Sequence, residues 1–170
     1  LDQGQVLVTI MDGFCVGGGL ELARALKYRV VSNRPATRLG LPEVKLGIHP
    51  GFGGSVRSIA TLGIFKAMKL MLSGELISAA QARAIGLVDA CVDPEQLRDT
   101  ALHTLLKAPR YRRPPWYLRI LNVFAPARQL IGLKLRHDLA QHTPEAHYPA
   151  PYALLQLWET HGGNRNAMFA

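Results

Sequence analysis

Met11-Asp12-Gly13-Phe14-Cys15-Val16-Gly17-Gly18-Gly19-Leu20-Glu21-Leu22-Ala23 decides how this chain is read. The β-forming run before it stops at Gly13, and three glycines then meet a helical pattern, so the sequence predicts a strand, a tight turn and a helix N-terminus. The device returns at Gly40-Leu41-Pro42-Glu43-Val44-Lys45-Leu46-Gly47-Ile48-His49-Pro50-Gly51-Phe52-Gly53-Gly54-Ser55-Val56-Arg57, where glycines again sit just ahead of an apolar helix. Glycine lacks Cβ, so the backbone at Gly18 can approach a ligand and present its N–H, while a helix starting near Gly19 adds partial positive charge. Three glycines also serve as a plain strand-to-helix connection. The pattern fits neither GxGxxG nor GxxxxGK[ST], which removes support for dinucleotide and P-loop readings.

Working outward, Gln5-Val6-Leu7-Val8-Thr9-Ile10 is nearly continuous in apolar and β-branched residues, the signature of a strand covered on both faces. Positions 20, 22, 23, 25 and 26 are apolar and predict a largely buried helix, interrupted in its first turn by Glu21. That carboxylate complements the helix dipole, and beside a glycine turn able to hold a substrate carbonyl it also permits acid/base work. Tyr28-Arg29-Val30-Val31-Ser32 reads as a second strand, followed by a polar loop over 33–37, which makes a β-α-β passage. Pro42 excludes a helix interior over 39–43, so Glu43 reads as a loop residue among Leu41, Val44 and Leu46. Desolvation by such neighbours raises a carboxyl pKa, the direction a general acid needs; a surface glutamate is the plain alternative.

Further on, a glycine turn over 50–54 leads to a helix through Leu62, broken by Gly63, and a helix over 64–72 stops at Gly74. Ser78-Ala79-Ala80-Gln81 reads as a capping box for a helix ending at Gly86, residues 87–92 as a short strand, and Asp93 and Pro94 as the N-cap and first position of the next helix. The basic, proline-rich stretch 108–115 divides a first unit, 1–107, from a helical extension, 116–170. In that extension Tyr117, Ile120, Leu121 and Phe124, then Ile131, Leu135 and Leu139, predict two amphipathic helices separated near Pro126. His137, His142 and His147 do not share a helix face, so they read as surface residues rather than a metal site.

The 170 residues, 48% of them hydrophobic, can bury one core. The chain opens Leu1-Asp2-Gln3-Gly4 and runs almost at once into a strand pattern, so an excerpt of a longer protein is expected. Neither a signal peptide nor a membrane-spanning run is apparent. Cys15 and Cys91 are far apart and lack a CxxC partner, so a reducing compartment is the default. Much of the net charge of +8 lies over 98–138, where nine Lys or Arg face only Asp99 and Asp138. Such a stripe is either a solvated helix face or a surface for RNA, an anionic membrane or a phosphorylated ligand.

Four motifs in order, Gly17-Gly18-Gly19-Leu20-Glu21-Leu22-Ala23, Leu41-Pro42-Glu43-Val44-Lys45-Leu46-Gly47, Pro50-Gly51-Phe52-Gly53-Gly54 and Ile85-Gly86-Leu87-Val88-Asp89, strongly resemble the crotonase, or enoyl-CoA hydratase/isomerase, superfamily. The resemblance covers residue 6 to about residue 92 and implies an α/β fold: the C-terminal half of a crotonase-type ββα spiral core, followed by the helical extension. The segment His147-Tyr148-Pro149-Ala150-Pro151 and the helices before it are similar to the connector between hydratase and 3-hydroxyacyl-CoA dehydrogenase domains in multifunctional fatty-acid-oxidation α-subunits. The resemblance implies hydration of a trans-2-enoyl-CoA, with Gly18 supplying one oxyanion N–H, Glu21 activating water, Glu43 protonating the α-carbon, and Gly51 and Gly53 helping to hold the water. The second oxyanion N–H and most coenzyme A contacts are expected in an earlier half of the core, which makes this stretch weakly active or inactive by itself. No cofactor is implied for this segment, since coenzyme A arrives with the substrate and NAD belongs to a downstream domain. The implied setting is cytoplasmic or the mitochondrial matrix, in a homo-oligomer or a complex with a thiolase subunit, without nucleic acid and with room for peripheral membrane contact. Isomerisation or thioester hydrolysis on the same scaffold is the alternative within this class, and a non-catalytic basic protein binding RNA or membrane the alternative outside it.

Overall fold

The computed structural model describes residues 6–109, 114–141 and 143–164. In chain order the elements are β1 (Val8–Met11), β2 (Phe14–Val16), α1 (Gly18–Ala25), β3 (Tyr28–Ser32), β4 (Arg38–Gly40), a 3₁₀ turn (Pro42–Leu46), α2 (Gly54–Leu62), α3 (Ile64–Ser73), β5 (Ile77–Ser78), α4 (Ala79–Ile85), β6 (Ala90–Val92), α5 (Leu97–Lys107), α6 (Trp116–Val123), α7 (Ala125–Ala140) and α8 (Pro149–His161). Two small sheets result, ordered β1-β3-β6 and β2-β4-β5. All pairings are parallel except β4 with β5. Two strands followed by a helical segment, twice over, put the first strand of each unit in one sheet and the second in the other. This is a ββα spiral, and the chain is mixed α/β as the sequence implies.

β3 is central, which explains why all five of its residues are buried. It is also held by a partly buried ion pair: Arg29 Nη2 and the Arg29 backbone N–H both donate to Asp89 Oδ2, each at 2.8 Å. One core cluster joins Leu20, Leu39, Leu41, Ile59 and Met68 to Leu154, Leu155 and Trp158 of α8, and a smaller one packs Leu97 and Ala101 of α5 against Val30. Among the described residues no helix is long and apolar enough to cross a membrane.

Local signals translate directly. Gly63, Gly74 and Gly86 sit at helix ends with positive φ, and the capping box forms in full, Gln81 N–H donating to Ser78 Oγ (3.2 Å) and Ser78 N–H to Gln81 Oε1 (2.9 Å). Several expectations are corrected. β1 is an edge strand with Ile10 48% exposed, so it is not covered on both faces. α1 is less buried than the largely buried helix expected: Leu22 is turned outward, while Leu20 and Ala23 are buried together with Glu21 and Arg24, which bond to α2. Residues 42–46 form a 3₁₀ turn rather than an irregular loop, with Pro42 in its first turn, where its missing N–H is not needed. Asp93 makes no side-chain cap; it accepts from Asn33 Nδ2 instead, and a 3₁₀ turn, Pro94–Gln96, precedes α5. The break between α6 and α7 falls near Pro126 as expected, at Phe124, with Pro126 inside the first turn of α7. Strands β2, β4 and β5 and the buried α8 carry no reading in the sequence.

Within the basic segment, Arg128 and Arg136 are engaged inside the helical layer. Arg128 donates to the carbonyls of Asn122 (2.9 Å), Val123 (2.8 Å) and Glu159 (2.9 Å), and Arg136 pairs with Glu159 at 2.8 Å. Arg98, Lys107, Arg119 and Lys134 are exposed. Arg110, Arg112, Arg113 and His142 lie outside the described residues, and His137 and His147 are exposed.

Candidate active site

Parallel strands deliver the segments after them to the same edge of a sheet. Val16 of β2 stands in register with Gly40 of β4, so the start of α1 and the 3₁₀ turn carrying Glu43 emerge side by side. Gly17 makes the junction. It adopts φ 53° and ψ −131°, a conformation that side-chain-bearing residues avoid, and donates its N–H to the Gly40 carbonyl at 3.0 Å. A Cβ added there would lie 3.4 Å from Glu43 Oε1. Gly17, rather than Gly18, is therefore the glycine the backbone requires, and it brings the Glu43 carboxyl against the N-terminus of α1. Gly18 is exposed as the first residue of that helix, where its N–H has no intrahelical partner, and a Cβ there would meet nothing within 4 Å. The first helical N–H of α1 thus directly follows Gly17, whose added Cβ would meet Glu43, and precedes Glu21 by three residues.

Those glutamates are held differently. Glu21 is 1% exposed, and its Oε1 accepts from the Gly54 N–H at 2.7 Å, so the carboxylate meets the positive end of α2. Glu43 is 8% exposed, and neither of its oxygens has a hydrogen-bond partner among the described residues. Desolvation pushes its carboxyl above the ordinary range, the negative charge of Glu21 adds to this, and its own backbone amide opposes it. The rise that the apolar neighbours of Glu43 imply in the sequence is found.

The second glycine turn builds the other wall. Gly51 is exposed; Gly53, with φ 89°, is the left-handed residue preceding α2. Gly54 makes the contact, and a Cβ there would fall 2.5 Å from Glu21 Oε1. Gly17 and Gly54 are the two positions that sequence reasoning missed; each sits in a run of glycines where only strand pairing or helix packing singles out one member. Ser55 Oγ donates to the Pro50 carbonyl (2.9 Å) and Arg57 Nη1 to the Phe52 carbonyl (2.6 Å), fixing the turn from within. Phe14, Leu22, Leu46, Ile48 and Phe52, on or beside the elements that carry the site, are exposed apolar side chains. Among the described residues no group of three His, Cys, Asp or Glu side chains is gathered to hold a metal.

This arrangement, one carboxylate on an amide, one carboxyl pushed toward its neutral form and a free helix-terminal N–H, has the parts for moving a proton on and off a substrate whose carbonyl gains negative charge. The comparisons with known proteins agree in direction. The family model for enoyl-CoA hydratase/isomerase matches residues 1–114. The fatty acid oxidation complex subunit alpha of Vibrio cholerae is 39% identical over 155 residues, which is 89% of this chain and 22% of that protein. The crystal structure of an enoyl-CoA hydratase from Geobacillus kaustophilus superposes with a TM-score of 0.55 at 28% identity, over 94% of this chain and 52% of that one. A carnitinyl-CoA dehydratase from Mycobacterium avium is 37% identical over 58% of this chain and 39% of its own, with a TM-score of 0.50. The chain thus spans about a fifth of the curated relative and about half of the Geobacillus enzyme.

Proposed function

The chain belongs to the enoyl-CoA hydratase/isomerase family, and from that premise we propose that it forms the acid/base half of a site that adds water across the double bond of a trans-2-enoyl-CoA, within a longer enzyme of fatty-acid oxidation. The observation that carries the reading is the unequal treatment of two buried glutamates: Glu21 bonded to the Gly54 N–H, Glu43 without a hydrogen-bond partner among the described residues and with its carboxyl raised. Environments that differ in this way divide two carboxyls into a base and an acid. Water gives a proton to Glu21 and its oxygen to the β-carbon; the electron pair of the double bond moves toward the thioester carbonyl, whose oxygen gains charge opposite the Gly18 N–H. Collapse of the enolate takes a proton from Glu43 at the α-carbon. The thioester is retained and the substrate gains one water; the proton left on Glu21 returns to Glu43, directly or through solvent, to restore both groups. Gly51 and Gly53 shape the turn that holds the water near Glu21.

The names of the relatives support the setting, since the curated one is a subunit of a fatty acid oxidation complex. Double-bond isomerisation or thioester hydrolysis is the competing chemistry on the same groups. The test uses the full natural polypeptide that contains this sequence, a short enoyl-CoA, and the variants Glu21→Gln and Glu43→Gln. Each is expected to lower kcat by roughly 10²- to 10⁴-fold, the usual worth of a general acid or base. A Glu21→Gln variant with unchanged hydration but altered isomerisation would replace the reading, and unchanged rates in both variants would remove it.

A further inference from the structure

One turn beyond the Glu21–Gly54 contact, the same two helices are joined a second time. Arg24 is 5% exposed and lies three residues after Glu21 on α1. Its Nη2 donates to the Arg57 carbonyl at 2.8 Å and to Thr61 Oγ1. Thr61 Oγ1 donates in turn to the Arg57 carbonyl at 2.7 Å. Glu21 and Arg24, on one face of α1, therefore meet Gly54, Arg57 and Thr61, on one face of α2. The Arg57 side chain extends the linkage back to the Phe52 carbonyl in the glycine turn. A single contact leaves two packed helices free to rotate about it; two contacts a turn apart fix both their rotation and their slide.

We propose that Arg24 is a positioning residue for Glu21. By clamping α1 to the Arg57–Thr61 turn of α2, it holds the Glu21 carboxylate on the Gly54 N–H and leaves the second carboxylate oxygen aimed at the water. The proposal rests on the reading of Glu21 as the group that activates water. Small displacements of a reacting group cost rate far more than binding, so loss of the clamp is read in kcat and not in KM.

The experiment measures hydration of a short enoyl-CoA by the full natural polypeptide. Arg24→Met is expected to lower kcat by about 10- to 100-fold with little change in KM, and Arg24→Lys, able to reach one of the two acceptors, to recover part of the loss. Thr61→Val, nearly isosteric, removes one acceptor and is expected to cost about threefold. Combined with Glu21→Gln, Arg24→Met should bring no further loss, because a residue acting through Glu21 has nothing left to position. If Glu21→Gln abolishes hydration while Arg24→Met and Thr61→Val keep the full kcat, the clamp is refuted and the functional reading stands. The clamp is refuted equally if the losses of Arg24→Met and Glu21→Gln multiply. If Glu21→Gln hydrates normally, the functional reading itself falls, and the clamp with it. Should Arg24→Met fail to fold, Arg24→Lys and Thr61→Val carry the comparison, and an unaltered kcat in both refutes the clamp.

Discussion

Glu43 is buried, among the described residues neither of its carboxyl oxygens has a side-chain or backbone partner, and burial with the nearby Glu21 charge outweighs its own backbone amide, so its charged form is disfavoured. Its folded pKa lies above its unfolded one, and the folded chain binds the proton more tightly. The stability this brings is fully present below the unfolded pKa and is lost as pH rises through the folded pKa. Glu43→Gln mimics the neutral form at every pH. The variant is therefore expected to melt with the wild type in acid and a few degrees above it once Glu43 ionises, which thermal denaturation across a pH series will show. A gap that is the same at all pH values would mean that folding does not shift the Glu43 carboxyl, and would overturn the raised pKa. The buried carboxyl was legible in the sequence because its neighbours Leu41 and Val44 are apolar and adjacent. The need for glycine at 17 rather than at 18 was not, since it comes from the parallel pairing of Val16 with Gly40 across distant segments.

At the scale of the element, what could be read depended on how local its cause was. The Ser78 capping box and the glycine stops are settled within four residues, and they appear where the sequence places them. Strands of two or three residues such as β2, β4 and β5 are too short to show alternation, so only pairing creates them. α8 escaped for another reason: its apolar residues crowd around 152–158, and their partners are spread from Leu20 to Leu139. Trp158 anchors it, fully buried and donating Nε1–H to Asn122 Oδ1 at 3.0 Å. Trp158→Ala is expected to destabilise the protein by about 3–5 kcal/mol, the usual cost of emptying a buried aromatic site. Trp158→Phe, which keeps a ring and loses the hydrogen bond, should cost about 1–3 kcal/mol. Denaturant titration measures both, and a loss below about 0.5 kcal/mol for the alanine variant, the size typical of a surface substitution, would show that α8 is not part of the core.

At the scale of the molecule, the site is built on two helix N-termini and one 3₁₀ turn, and at one of those termini Gly18 is exposed. Crotonase chemistry as the resemblance implies it uses a pair of oxyanion N–H donors, Gly18 and one from an earlier part of the core, and this chain spans 52% of the Geobacillus enzyme it superposes on. On the elements that carry the site, Phe14 of β2 is 70% exposed and Leu22 of α1 69%. Removing one oxyanion donor costs about 10²- to 10³-fold in kcat. Residues 1–170 expressed alone are therefore expected to hydrate a short enoyl-CoA at least about 10²-fold more slowly than a polypeptide that supplies the rest of the core. In that slow background Glu21→Gln should still lower the rate, because the carboxylate and its Gly54 donor both lie within these residues. Following loss of the conjugated thioester absorbance for both chains decides the matter. Equal rates would mean that one helix-terminal N–H is sufficient to carry the developing charge.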